Sequence, residues 1–167
     1  MIVKITNYKK EYQIINHSEI VLETRKPKWY SSEINFYYND KYYEIKKSGV
    51  WSISRTIFEL KRPIGKIFWT MKGGVIRLEN KNATYNEYTL KKENLGKWYS
   101  SEMRYVLNNK DLNQVLTIHY DVKGRLIHTE DISVSFNDID STDFVLLVCS
   151  LCLIDIITVS DNSVMMG

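Results

Sequence analysis

Three histidines, two cysteines, one acidic stretch and several lysine pairs are the groups in this chain that could do chemistry. His17, His119 and His128 lack the spacing that would bring two imidazoles to one metal. Cys149-Ser150-Leu151-Cys152 has the spacing of a redox pair. It lies inside an apolar run with no βαβ context, so both thiols read as small, inert core residues. A helical i, i+3 pair does not form a disulfide, and the cysteine usage does not call for an oxidising compartment. The segment Asn137-Asp138-Ile139-Asp140-Ser141-Thr142-Asp143 offers carboxylates at Asp138, Asp140 and Asp143. As a calcium loop starting at Asp138 it supplies oxygens at positions one, three and five, but Asp143 stands where glycine is needed and Cys149 where the bidentate glutamate belongs. Capping of a following helix is its plainer role. The chain carries no Gly-rich phosphate loop, no G-x-S-x-G and no H-E-x-x-H. The expectation is a protein without cofactor or metal, and not an enzyme.

Basic residues cluster at Lys9-Lys10, Lys46-Lys47, Lys61-Arg62 with Lys66, and Lys91-Lys92. One reading is a solvated surface whose lysines protect strand edges. The other is a site for anionic lipid or phosphoinositide built from Lys46, Lys47, Lys61, Arg62, Lys66, Lys91 and Lys92. A net charge of +3, from 23 basic and 20 acidic residues, is too balanced to point to nucleic acid.

The elements that must position these groups are almost all strands. The chain has 167 residues, 44% hydrophobic and 26% charged, which suits one domain spanning 1–167. Twelve tyrosines tilt it toward β structure. From Ile2 to about Phe136, short runs alternate with turn signals. Ile34-Asn35-Phe36-Tyr37-Tyr38, Asn39-Asp40 and Tyr42-Tyr43-Glu44-Ile45-Lys46 form a hairpin pattern. Strands are also expected over Ser54–Leu60 and Gly65–Thr70, with Gly73-Gly74 turning the chain into Val75–Glu79. Further strands follow to Val115–Tyr120, and Lys123-Gly124 turns into Arg125–His128 before Ile132–Phe136. Ten to twelve strands result.

Phe144 to Ile157 breaks the pattern, with twelve of fourteen residues apolar. Ser141, Thr142 and Asp143 supply capping groups, so a helix is expected over about 143–157. Fourteen residues span only ~21 Å, short of the ~30 Å hydrocarbon core, which argues against a transmembrane span. A helix apolar on every side needs protein on every side. A barrel of about twelve strands is too wide for its own side chains to fill. A buried central helix, with Phe144, Leu147, Val148, Leu151 and Ile154 in the core and Asp155 near its end, would fill it.

One hexapeptide occurs twice. Lys28-Trp29-Tyr30-Ser31-Ser32-Glu33 recurs as Lys97-Trp98-Tyr99-Ser100-Ser101-Glu102, 69 positions later. Glu19–Leu22 and Glu87–Leu90 precede the copies; Ile34 and Met103 follow, then Asn39-Asp40-Lys41 and Asn108-Asn109-Lys110. The pattern suits a barrel of two similar halves, with Trp29 and Trp98 as equivalent core anchors.

This Lys-Trp-aromatic-Ser element at two places, followed by an apolar helix with Val148-Cys149-Ser150-Leu151-Cys152-Leu153-Ile154-Asp155, resembles the tubby C-terminal-like superfamily. The nearest-looking branches are the LURP-one-related proteins and the phospholipid scramblases. The resemblance implies a twelve-stranded barrel threaded by its C-terminal helix, and a lipid-binding role. The Cys-rich and Pro-rich stretches of scramblases are missing here, and the basic lipid motif of tubby proteins does not match position by position. The leading expectation is a non-enzymatic module binding anionic membrane lipid. The alternatives are a protein-interaction or structural domain without small ligand, and an enzyme or small-ligand carrier using an open barrel mouth. With no secretory signal, the expected location is cytoplasmic, peripheral at the membrane where lipid is bound.

Overall fold

Runs of alternating apolar and polar residues pair edge to edge when turns are short, and an apolar inner face drives the sheet to close on itself. The computed structural model of the chain is a closed barrel of twelve antiparallel strands followed by a helix. It describes residues 1–6, 11–28, 32–49, 53–70, 73–80, 82–93, 102–123, 129–136 and 144–164. The strands are β1 (Ile2–Thr6), β2 (Glu11–Asn16), β3 (Glu19–Arg25), β4 (Ile34–Tyr38), β5 (Lys41–Lys47), β6 (Arg55–Glu59), β7 (Arg62–Thr70), β8 (Gly73–Glu79), β9 (Tyr85–Glu93), β10 (Glu102–Asn108), β11 (Gln114–Lys123) and β12 (Thr129–Phe136). Each pairs with the next, and β12 closes on β1 through Ile2 opposite Ser133 and Val3 opposite Ile132.

The sequence repeat maps onto this order. Its two copies fall in the β3–β4 and β9–β10 connections, six strands apart, so the barrel divides into β1–β6 and β7–β12. Trp29 and Trp98 themselves lie outside the described residues, as do Asp138, Asp140, Asp143 and His128.

Three expectations are corrected. Gly73 and Gly74 do not form the turn; they begin β8, and the connection is residues 71–72. Lys61 sits in a two-residue turn with Leu60, both at positive φ (70° and 49°), so β7 begins at Arg62. Pro63 is tolerated early in β7 because the β6–β7 register slips between Ile57 and Phe58. The helix α1 runs Phe144–Val164, past the expected stop at 157; the β-branched residues near that point lower helix propensity without ending the helix. Strand β11 runs on to Lys123, and 124–128 lie outside the described residues. The expected Asn39-Asp40 hairpin is present, both residues at positive φ (48° and 57°), as the turns favoured in two-residue hairpins require.

Because all neighbours are antiparallel, connections alternate between the two ends. One end holds five hairpin connections (17–18, 39–40, 60–61, 80–84 and 109–113) and the lead into the helix. We call it the turn end. The other holds 7–10, 26–33, 48–54, 71–72, 94–101 and 124–128, and we call it the loop end.

The helix enters at the turn end, where the Phe144 ring stands edge-on to Tyr38 with centroids 5.3 Å apart. Twelve of the thirteen residues from Phe144 to Ile156 are buried, Asp155 being the partly exposed exception. They pack against inward side chains such as Ile14, Ile34, Ile45, Ile67, Ile76, Leu107 and Ile118. Ser150, the one buried hydroxyl on this stretch, donates to the Leu146 carbonyl at 2.9 Å, so it costs no unpaired polar group. No helix among the described residues is long and apolar enough to cross a membrane.

The helix lies nearest β7 and β8. A Cβ on Gly74 would fall 2.5–2.9 Å from three side-chain carbons of Leu153. Glycine is therefore needed there for close approach rather than for turning. Gly74→Ala is expected to destabilise the protein by about 1–3 kcal/mol through overpacking, and Leu153→Ala by about 2–5 kcal/mol through its cavity. The double variant should cost clearly less than the sum in a denaturant-melt cycle; strict additivity would remove the close contact as the reason for the glycine. A chain ending at residue 143 should show no cooperative melt. Each buried apolar helix side chain contributes ~1.5–3 kcal/mol, and the loss of the eleven from Phe144 to Ile156 exceeds the ~5–15 kcal/mol net stability of a domain.

Candidate functional site

The two ends of the barrel differ in the charged side chains that the described residues bring to them. The described residues of the loop-end connections carry Lys26, Lys28 and Glu33. Those of the turn-end connections carry Lys61, Lys110, Asp40 and Asp111. Trp69, 47% exposed, is the penultimate residue of β7 at the loop end.

Among the described residues, Lys26 and Lys28 follow β3, Lys46 and Lys47 close β5, and Lys91 and Lys92 stand near the end of β9, all toward this loop end. Ile53, 60% exposed in the β5–β6 connection, adds an apolar side chain at the same end. Lys46 has a partner in Glu44, at 2.9 Å, and its ammonium lies 5.8 Å from the Phe58 ring centroid. The hydrogen bond to Glu44 raises the Lys46 pKa, so the residue stays charged. The Lys26 amide donates to Glu11 Oε1 at 2.9 Å and ties the β3 exit to β2.

The seven predicted lipid-binding residues do not form one patch. Lys46, Lys47, Lys91 and Lys92 share the loop end. Lys61 and Arg62 are at the turn end, where Arg62 is held by both oxygens of Glu79 at 2.8 and 3.0 Å. Lys66 lies midway along the outer wall opposite Arg77, whose charge is taken by Glu87 at 2.7 Å. Sequence proximity grouped Lys61 and Arg62 with Lys66; antiparallel topology separates them.

Beneath the loop end lies a polar cluster that the sequence pattern did not single out. Arg55, only 8% exposed, opens β6 on the same face as the core residue Ile57. It lies within hydrogen-bonding reach of the Cys152 sulfur, and the charges of Arg55 and Asp155 both act on that thiol. Tyr12 is buried beside Asp155. Its backbone amide donates to Thr24 Oγ1 at 2.8 Å. Burial first, and then the Asp155 charge, push the Tyr12 phenol well above its ordinary value. Burial likewise raises Cys152 to about 11, with Arg55 opposing. Cys149 and Cys152 are both free and buried. A readable signal existed: Arg55 is a charge on the apolar face of a strand, and Asp155 is the single charge in the apolar run.

Compared with protein-family models, with curated proteins and with solved structures, the chain matches none.

No group of three or more His, Cys, Asp or Glu among the described residues is arranged to hold a metal. His119 is exposed on β11, opposite Arg104 and Ser133. Two clefts lined by described residues open on the outer wall rather than on the interior.

A thiol raised above its ordinary value near 9 favours the fold while it stays neutral. That contribution is complete below pH 9 and is lost as pH rises through about 11. The loss amounts to about 2–3 kcal/mol. Cys152→Ala should flatten the fall in stability between pH 9 and 11, measured by denaturant titration at each pH. An unchanged slope would mean that the Cys152 thiol titrates alike in the folded and unfolded chain. Both thiols should resist alkylation at pH 8 in the folded chain and react on unfolding.

Proposed function

We propose that this protein is a non-enzymatic binding module whose loop end docks on a membrane surface carrying anionic lipid. The observation that carries the reading is the gathering, at one end of the barrel, of Lys26, Lys28, Lys46, Lys47, Lys91 and Lys92 with the exposed Trp69 and Ile53. Lysines near an anionic bilayer gain ~1 kcal/mol each and act over about one Debye length. Tryptophan rings favour the headgroup layer because one edge is polar and the rest apolar. The resemblance of the paired Lys-Trp-aromatic-Ser elements and the apolar helix to the tubby-like superfamily supports the same reading. The cytoplasmic leaflet, where anionic lipid is concentrated, is the corresponding location.

Sedimentation with vesicles tests this. The protein should pellet with phosphatidylcholine vesicles containing phosphatidylserine at low salt, and release at high salt. Comparing them with vesicles that carry phosphoinositide at matched charge separates simple charge attraction from headgroup recognition. Lys47→Glu, Lys91→Glu and Lys92→Glu together should lower partitioning roughly 100-fold. Reversals at the opposite end, Lys61→Glu with Lys110→Glu, should leave it unchanged. Equal loss from both ends would mean that binding is not oriented, and no sedimentation at low salt would end the proposal.

A further inference from the structure

The barrel wall is zipped unequally. Most neighbouring strands are in register over four to eight residue pairs, but β3 and β4 share only Thr24 opposite Phe36 and Arg25 opposite Asn35. The equally short β1–β12 pairing is prolonged by reciprocal hydrogen bonds between Met1 and Val134. No such extension exists among the described residues at β3–β4. Residues Glu19–Glu23 of β3 therefore have a strand partner on the β2 side only. An unpaired strand edge offers main-chain N–H and C=O groups to another extended chain.

The side chains along this edge suit such an occupant. The β2–β3 register slips between Ile14 and Ile15, which leaves Val21 with no opposite residue and turns it outward, 38% exposed. Ile20 beside it is 56% exposed and stands in one outer row with Ile15 and Ile2. Across the seam Tyr37 is 71% exposed and packs on Tyr42, with ring centroids 5.0 Å apart. Where the ladder ends, a cleft of about 430 Å³ opens between Glu23 and Arg25 on one side and Asn35, Tyr37 and Tyr42 on the other. Asn35 Oδ1 is buried there without a hydrogen-bond partner, an acceptor waiting for a donor.

We propose that the β3 edge and the β3–β4 cleft dock an extended peptide segment of a partner protein, apolar at its centre and basic at both flanks. Main-chain pairing to Glu19–Glu23 supplies affinity, and alternate side chains supply specificity. The apolar centre covers Ile20, Val21 and Tyr37, while the basic flanks meet Glu19 and Glu23. A second copy of this chain fits worse. Antiparallel self-pairing centred on Val21 sets Glu19 opposite the Glu23 of the other copy, twice, and like charges directly opposite are destabilising. This site lies on the outer wall and is independent of lipid docking at the loop end.

Backbone amide shifts of the full chain, titrated with synthetic peptides, test the proposal. The probe is a capped Lys-Val-Tyr-Val-Lys peptide; the control is the same peptide N-methylated at alternate amides, which cannot pair. The expected result is saturable binding in the millimolar range, with shifts concentrated at Ile20–Glu23 and Tyr37 and none from the methylated control. Glu19→Lys with Glu23→Lys should weaken binding at least tenfold while the thermal melt is retained. Absence of shifts at these amides, shifts that survive methylation, or shifts mapping elsewhere would overturn the proposal. So would concentration-dependent shifts of the same amides without peptide, which would assign the edge to a second copy.

Discussion

A helix with no polar face cannot rest on a protein surface, and a twelve-stranded barrel cannot fill itself. Each solves the other's problem. The apolar side chains from Phe144 to Ile156 occupy the space that inward residues such as Ile34, Ile67 and Leu107 leave open. The near-continuous inner face of isoleucine and leucine then meets protein instead of water. This dependence sets the rest: the closed strand order, the glycine at position 74 where helix and wall come closest, and the lone hydroxyl of Ser150 turned back on its own helix. Direction is fixed as well. The helix begins at the turn end and points its C-terminus toward the loop end.

Much of this was legible in the sequence because period-two alternation and turn residues are local signals. The segment from Ile34 to Lys46 shows why: Ile34, Phe36, Tyr43 and Ile45 alternate inward, and Asn39-Asp40 tolerates the left-handed backbone between them. The repeat of 69 residues corresponds to an offset of six strands, from the β3–β4 to the β9–β10 connection. Gly73-Gly74 misled because glycine serves both turns and close packing, and only the helix position distinguishes the two. Leu60-Lys61 was missed because neither residue favours positive φ; the flanking strands impose it.

The site was less legible than the fold. Lysine pairs mark a surface, but which end of a barrel they share depends on strand parity, a property of the whole topology. Parity brings Lys46, Lys47, Lys91 and Lys92 together and sends Lys61 and Arg62 away. The interior group of Tyr12, Arg55, Cys152 and Asp155 needed the three-dimensional arrangement too, since its members come from β2, β6 and the helix. An arginine that interrupts an apolar strand face and an aspartate that interrupts an apolar helix were each visible alone. Their meeting at the loop end was not.

The element that fills the barrel is also the one that follows all twelve strands in chain order. On a ribosome, where chains emerge at ~5–20 residues per second, every strand leaves the exit tunnel before its interior partner does. The final seam makes the wait longer, because Met1 bonds to Val134, 133 residues downstream. Nascent strands with apolar inner faces must therefore be held apart from one another for several seconds, and folding is committed only once the helix has emerged. The order of synthesis thus fixes the earliest moment at which the barrel can close on a filled interior.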